Sequence, residues 1–282
     1  MKKQTPVLKL LVGCLFIFYA FTGCEKSDPA GPGVQKDPPQ IPPLSTFLMD
    51  FSDFESRMSF SQSDETGRGV YTLTVQNWGW SALQVGVWNV LITATFIIPV
   101  AAFAESFNHE AEQQPDGSWC WAYEVQVNKI AHSVKLYART VPLGIQWDMV
   151  VSKEGAYTDF NWYSGLSNLL ATEGTWTVNK NPQDPVPCIA IVWHRNPQDD
   201  TADIRYTNII PGDAENGGYI YYGVTQDPSY DAFYEIYNKG RDNLSDIRWN
   251  RSSKNGRIKD PQHFCDDRWH CWDQNLQDME CP

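Results

Sequence analysis

The chain has 282 residues, with 22 Lys and Arg against 34 Asp and Glu and a formal charge of −12. That acidic balance excludes binding along a nucleic-acid backbone, where Lys and Arg must displace counterions, and docking on anionic lipid heads through a basic patch. Twelve Trp, 13 Tyr and 13 Phe exclude a disordered chain, which is poor in aromatics.

In chain order the first predicted element is an export signal. Lys2, Lys3 and Lys9 precede an apolar run from Leu10 to Phe21. Its length suits the core of a signal peptide and falls short of the roughly 20 residues a membrane-spanning helix needs. The run ends in Phe21-Thr22-Gly23-Cys24. This resembles the lipobox of bacterial lipoproteins, in which small residues precede the cysteine that receives the lipid; Phe21 stands where an aliphatic residue is commoner. The resemblance implies a precursor cleaved after Gly23, a lipid such as palmitate on Cys24, attachment to a membrane through that lipid, and a place in the bacterial cell envelope. Residues 1–23 carry three lysines and no acid, so removing them takes the formal charge to about −15.

Residues 24–45 combine the lipidated Cys with a Pro- and Gly-rich stretch that lacks apolar periodicity, which predicts a tether in partly extended polyproline geometry. A single β-rich domain is expected over 46–282. Its first strand is predicted at Thr46–Ser52, with Phe47, Met49 and Phe51 on one face, and another at Val70–Val75.

Residues 82–104 carry no charge. Ser81-Ala82-Leu83-Gln84 fits a capping box, so the segment is read as one apolar helix over about 81–107, with Pro99 as a place for a kink. Two buried strands are the alternative. A helix apolar all round should be buried, so this one is expected against or inside the sheet.

From Trp119 onward the period becomes two. Trp119, Trp121, Tyr123, Val125 and Val127 alternate with smaller or polar residues. Shorter runs come at Val134–Ala138, Ile145–Val151, Phe160 with Trp162, Trp176 with Val178, and Ile189–Trp193. Further strands are expected at 204–209, 219–224, 232–237 and 244–249, separated by turn signals such as Pro115-Asp116-Gly117 and Glu215-Asn216-Gly217-Gly218. Short turns between strands favour an antiparallel meander, closed into a barrel or strongly curved to limit its edges.

Five cysteines come after the anchor: Cys120, Cys188, Cys265, Cys271 and Cys281. An oxidising envelope favours disulfides. One bridge is expected inside the tail over 263–282, and a second between Cys120 and Cys188. His263, Cys265, His270 and Cys271 offer zinc-type donors, but adjacent residues rarely aim at one tetrahedral centre, so no metal is assigned. Asp199, Asp200 and Asp203 lack calcium-loop spacing. No catalytic or cofactor motif stands out, and no cofactor is expected.

The aromatic strand faces are the functional lead. They are expected to line a cavity for a lipid or other apolar ligand, through Trp119, Trp121, Tyr123, Trp147, Trp162 and Trp193. In outline this resembles envelope lipid carriers built as half-open barrels with helical lids, although no motif carries their residues over. The alternatives are a glycan-binding module, with coplanar rings facing water, and an envelope hydrolase whose site assembles only in the fold.

Overall fold

A computed structural model describes residues 37–55 and 76–282. The signal segment, Cys24 and the strand expected at Val70–Val75 lie outside the described residues. Most of the described chain forms a meander of 14 strands, in which every neighbour in the sheet is a neighbour in sequence. The strands are β1 (Glu112–Gln113), β2 (Trp119–Val127), β3 (Ile130–Val141), β4 (Gly144–Lys153), β5 (Tyr157–Ser167), β6 (Glu173–Asn181) and β7 (Asp184–Asn196). They continue as β8 (Thr201–Asn208), β9 (Tyr219–Val224), β10 (Ala232–Asn238), β11 (Asn243–Trp249), β12 (Gly256–Lys259), β13 (His270–Trp272) and β14 (Asp278–Met279). All pairs are antiparallel, and β1 and β14 form the two edges, so the sheet curves without closing into a barrel.

Period two is what places the core. One row of paired residues runs through Trp119, Ala138, Trp147, Gly165, Trp176, Ile191, Tyr206, Ile220, Ile236 and Ser245. These side chains share one face because alternate residues along a strand point the same way. Gly165 faces Trp176, Gly174 faces Trp193 and Gly256 faces Trp272. At each of these glycines a Cβ would run into the opposite indole, 2.6 Å from Trp193 in the case of Gly174. The missing side chain lets a large ring lie over the neighbouring strand. A bulge at Trp162 shifts the β4–β5 register, so Tyr163 rather than Trp162 pairs across from Met149 on the core side.

The predicted first strand takes another form. Leu44–Thr46 is a 3-10 turn and Ser52–Glu55 a short helix, α1. Between them Phe47, Met49 and Phe51 are buried while Leu48 and Asp50 are exposed, so the alternation is real but pairs with no strand. Its backbone polar groups meet side chains rising from the sheet. Tyr206 Oη accepts from Met49 N–H at 2.9 Å and donates to Phe47 O at 2.7 Å. Trp176 Nε1 donates to Thr46 O at 3.0 Å, and Tyr234 Oη donates to Asp50 O. Buried backbone must find partners, and here phenols and an indole replace a ladder. The packed region also reaches back into the expected tether, since Pro39 and Pro42 are buried.

The long helix α2 spans Asn77–Ser106, passing through Pro99. It starts ahead of the expected capping box: Ser81 lies inside the helix and donates to Asn77 O at 2.9 Å. The cap comes from the other end of the chain, where the Asp278 carboxylate accepts from Asn77 N–H at 2.8 Å. A carboxylate there also suits the positive end of the helix dipole. Asn77 Nδ2 donates to Cys271 O at 2.8 Å, fixing this end on β13. At the far end Tyr123 Oη donates to Ala102 O at 2.6 Å, and His109 stacks on Tyr123 at 4.7 Å.

α2 is not enclosed all round. Ile92, Phe96 and Phe103 are buried, with Phe103 against Phe47, Tyr163 and Trp176 at 5.3–6.0 Å between ring centroids. A second apolar stripe faces outward, with Val87 53%, Val90 68%, Leu91 56% and Ile97 44% exposed. The sheet supplies enough apolar surface to cover one stripe of the helix, and the strap at 44–55 fills the rest of that contact.

In the tail, Cys271 and Cys281 form the expected bridge. Cys120 and Cys188 are both buried thiols on β2 and β7, five strands apart in the sheet order, so no bridge joins them. Cys265 is an exposed free thiol.

Candidate functional site

The middle of α2, between its two fastened ends, stands over a cavity of about 850 Å³. One wall is the helix, through Leu83, Val87, Leu91, Ile92 and Phe96. Leu83, Val87 and Leu91, spaced by four, form an exposed stripe, while Ile92 and Phe96 lie round the helix on its buried face, so the cavity follows the edge of the helix from one to the other. The opposite wall is Ile189 of β7, Ile236 of β10 and Ile210 in the loop after β8. Cys188 joins this wall at a bulge in the β6–β7 register, and burial pushes its thiol up to about 11. Such a thiol is protonated near neutrality and behaves as a small apolar side chain.

One end of the cavity is polar. Asp260 is buried there as the N-cap of a short helix, α3 (Pro261–Phe264). Its carboxylate accepts from Trp80 Nε1, Asn243 Nδ2 and Ser245 Oγ, each at 2.8 Å, and from His263 N–H at 3.1 Å. Burial alone would raise its pKa, but these four donors outweigh burial and hold the carboxyl below its usual range. Ser245 Oγ also lies 2.7 Å from the Gln84 side-chain amide. The contact is made with Gln84 Oε1, and Gln84 Nε2 is left buried without a hydrogen-bond partner among the described residues. His263 stacks on Trp80 at 3.9 Å, and burial lowers its pKa. Gln262, Arg241 and Asn238 complete this end.

A second groove of about 450 Å³ runs along the other side of α2. Ala94, Ile97 and Ile98 line it from the helix, and Trp162, Tyr157 and Lys153 from the sheet; Thr95 and Lys180 border both spaces.

The aromatic residues singled out from the sequence sit elsewhere, with one exception. Trp119, Trp121, Tyr123, Trp147 and Trp193 are buried in the core. Trp121 and Trp147 pack on each other at 6.0 Å, and Trp147 Nε1 donates to Ser167 Oγ at 2.9 Å. Only Trp162 among the six borders a groove. None of these rings forms a coplanar platform facing water. The cavity-lining residues that sequence reasoning passed over are Leu83, Val87 and Leu91 with Ile189 and Ile236. Their signal was the second apolar stripe of the helix, at i, i+4 and i+8.

The remaining polar candidates are structural. His270 Nε2 lies 3.0 Å from Asp266, Cys271 is bonded to Cys281, and His194 pairs with Asp203 at 2.9 Å. Among the described residues no three His, Cys, Asp or Glu side chains group as metal ligands.

Fold and site together define an antiparallel β protein with a helix-walled apolar cavity closed by a polar end. The chain matches no known protein family, no curated protein and no solved structure.

Proposed function

We propose that this chain is a lipid-anchored protein of the bacterial cell envelope that binds an amphiphile, its apolar chain held between α2 and strands β7–β10. The observation that carries this reading is the cavity itself. Its volume falls within the range of about 300–1,000 Å³ typical of small-molecule sites. Two apolar walls meet polar groups at the Asp260 end and at a rim that includes Lys180, Asp213 and Glu215, a layout that suits a molecule with a hydrocarbon body and a hydrogen-bonding head. Placing apolar surface from both partners together contributes roughly 25 cal/mol per Å² removed from water. Around Asp260, the unpartnered Gln84 Nε2 and the side chains of Asn243 and Gln262 offer the head its hydrogen bonds.

Titration with a fluorescent fatty-acid probe tests the reading, together with solvent extraction of the purified protein and mass spectrometry of the extract. Leu83→Asp puts a carboxylate into the apolar wall at a partly exposed position, and should weaken probe binding by tenfold or more. Val192→Asp, on an exposed position of β7, should leave it unchanged. A protein that binds no probe and yields no lipid would remove the proposal.

A further inference from the structure

The outward stripe of α2 is only partly used by the cavity, which takes Val87 and Leu91 but not Val90, Ala94 or Ile97. Val87, Val90, Leu91, Ala94 and Ile97 are exposed or half-buried and lie close together along one side of the helix, and no charged residue occurs from Asn77 to Ala104. A soluble monomer rarely leaves a contiguous apolar strip without a use. We infer that this stripe rests in the interfacial layer of a lipid bilayer, so that the grooves on both sides of α2 open onto acyl chains. The inference rests on the lipid-anchored carrier reading above and adds the partner of the same site.

Three observations choose a bilayer over a protein partner. First, the stripe is one helix wide and flanked by spaces of about 850 and 450 Å³. A rigid partner seated on it would bridge both as voids, against the close packing of protein interfaces, whereas fluid acyl chains fill an irregular surface. Second, Lys153 borders the narrower groove, as does Lys180, whose ammonium is paired with Asp184 at 2.9 Å. Lysine stems lie along apolar surface while their ammonium groups reach the headgroup level. Third, Asp37 lies only 13 positions after Cys24, a reach of at most roughly 45 Å. Phe47, ten residues further on, packs on Phe96 and Phe103 of α2. A lipid on Cys24 therefore keeps this helix near the membrane that holds the lipid. The acidic charge of the chain predicts docking that relies on apolar contact, with no gain from anionic lipids and little response to salt.

The test uses the full protein purified from membranes and reconstituted in phosphatidylcholine vesicles. An environment-sensitive fluorophore is placed at Val90→Cys in a Cys265→Ser background, with Val192→Cys as the control position. The expected result is a blue shift at Val90, loss of most of its emission when the acyl chains carry bromine, and neither effect at Val192. Adding Ala94→Asp, outside the carrier cavity, should reverse the shift and the quenching without unfolding the protein, because both positions are exposed. A Val90 label that stays in water overturns the inference. So does a blue shift that appears without vesicles and grows with protein concentration, since a second copy then covers the stripe. Lipid extraction from the same samples reads the cavity separately. A lipid-loaded protein with a wet Val90 label sinks the docking inference alone, and a docked protein without extractable lipid sinks the carrier reading alone.

Discussion

Along one face of α2, Ile92, Phe96 and Phe103 are lost from water, Phe96 against Phe47 and Phe103 against Phe47, Tyr163 and Trp176. Part of a turn away, Val87, Val90 and Ile97 have the same chemistry and remain in water. Hydrophobicity alone therefore does not decide which side chains enter the core. The sheet offers one concave surface, and the face of the helix anchored by Asn77 at one end and Ala102 at the other takes it. The other face is left exposed.

The largest expected effect separates the two faces directly. Phe103→Ala should cost about 3–5 kcal/mol in urea denaturation, because it removes a buried ring and leaves a cavity. Val90→Ala on the opposite face should change stability by no more than about 0.5 kcal/mol. Comparable losses at the two positions would mean that the outer stripe is covered in the free protein.

A smaller effect is expected at the polar end. Asp260→Asn exchanges a charged acceptor for a neutral one and should cost about 1.5–3 kcal/mol near neutral pH. The native carboxyl titrates below its unfolded value of about 3.9. Its stabilisation is therefore fully present above that unfolded value and fades as pH falls through the depressed native one. The gap between wild type and Asp260→Asn should narrow as pH drops from about 5 toward 2. A gap that stays constant across that range would show that the loss comes from packing rather than charge.

Much of the fold was legible because period two is a strong signal. The run from Trp119 to Val127 becomes β2 over the same residues, and Tyr219–Val224 becomes β9. The strap around Phe47 shows the limit of the signal: alternation reports burial on one side, and Tyr206 and Trp176 supply hydrogen bonds that a strand would otherwise supply. The short strands β12 and β13 carry too few residues to show a period. The helix was legible, but its start was not, since its cap is Asp278, 201 residues away.

The candidate site was much less legible. Its walls come from α2, β7, β10 and the turn before α3, which are far apart in sequence. The aromatics drew attention by size, yet residues such as Gly165 and Gly174 make room for Trp176 and Trp193 to lie within the core. Pairing those glycines with the indoles requires the strand register, which composition does not reveal.

Native mass spectrometry of the protein released from membranes in mild detergent tests most directly whether the cavity holds a lipid. Thr95 borders both grooves at the middle of α2 and is only partly buried, so Thr95→Trp should fill the space without unfolding the protein. The expected result is a one-to-one lipid adduct on the wild type that is lost in Thr95→Trp at unchanged thermal stability. A wild type free of bound lipid, or an adduct retained equally by both proteins, would contradict a lipid-filled cavity beneath α2.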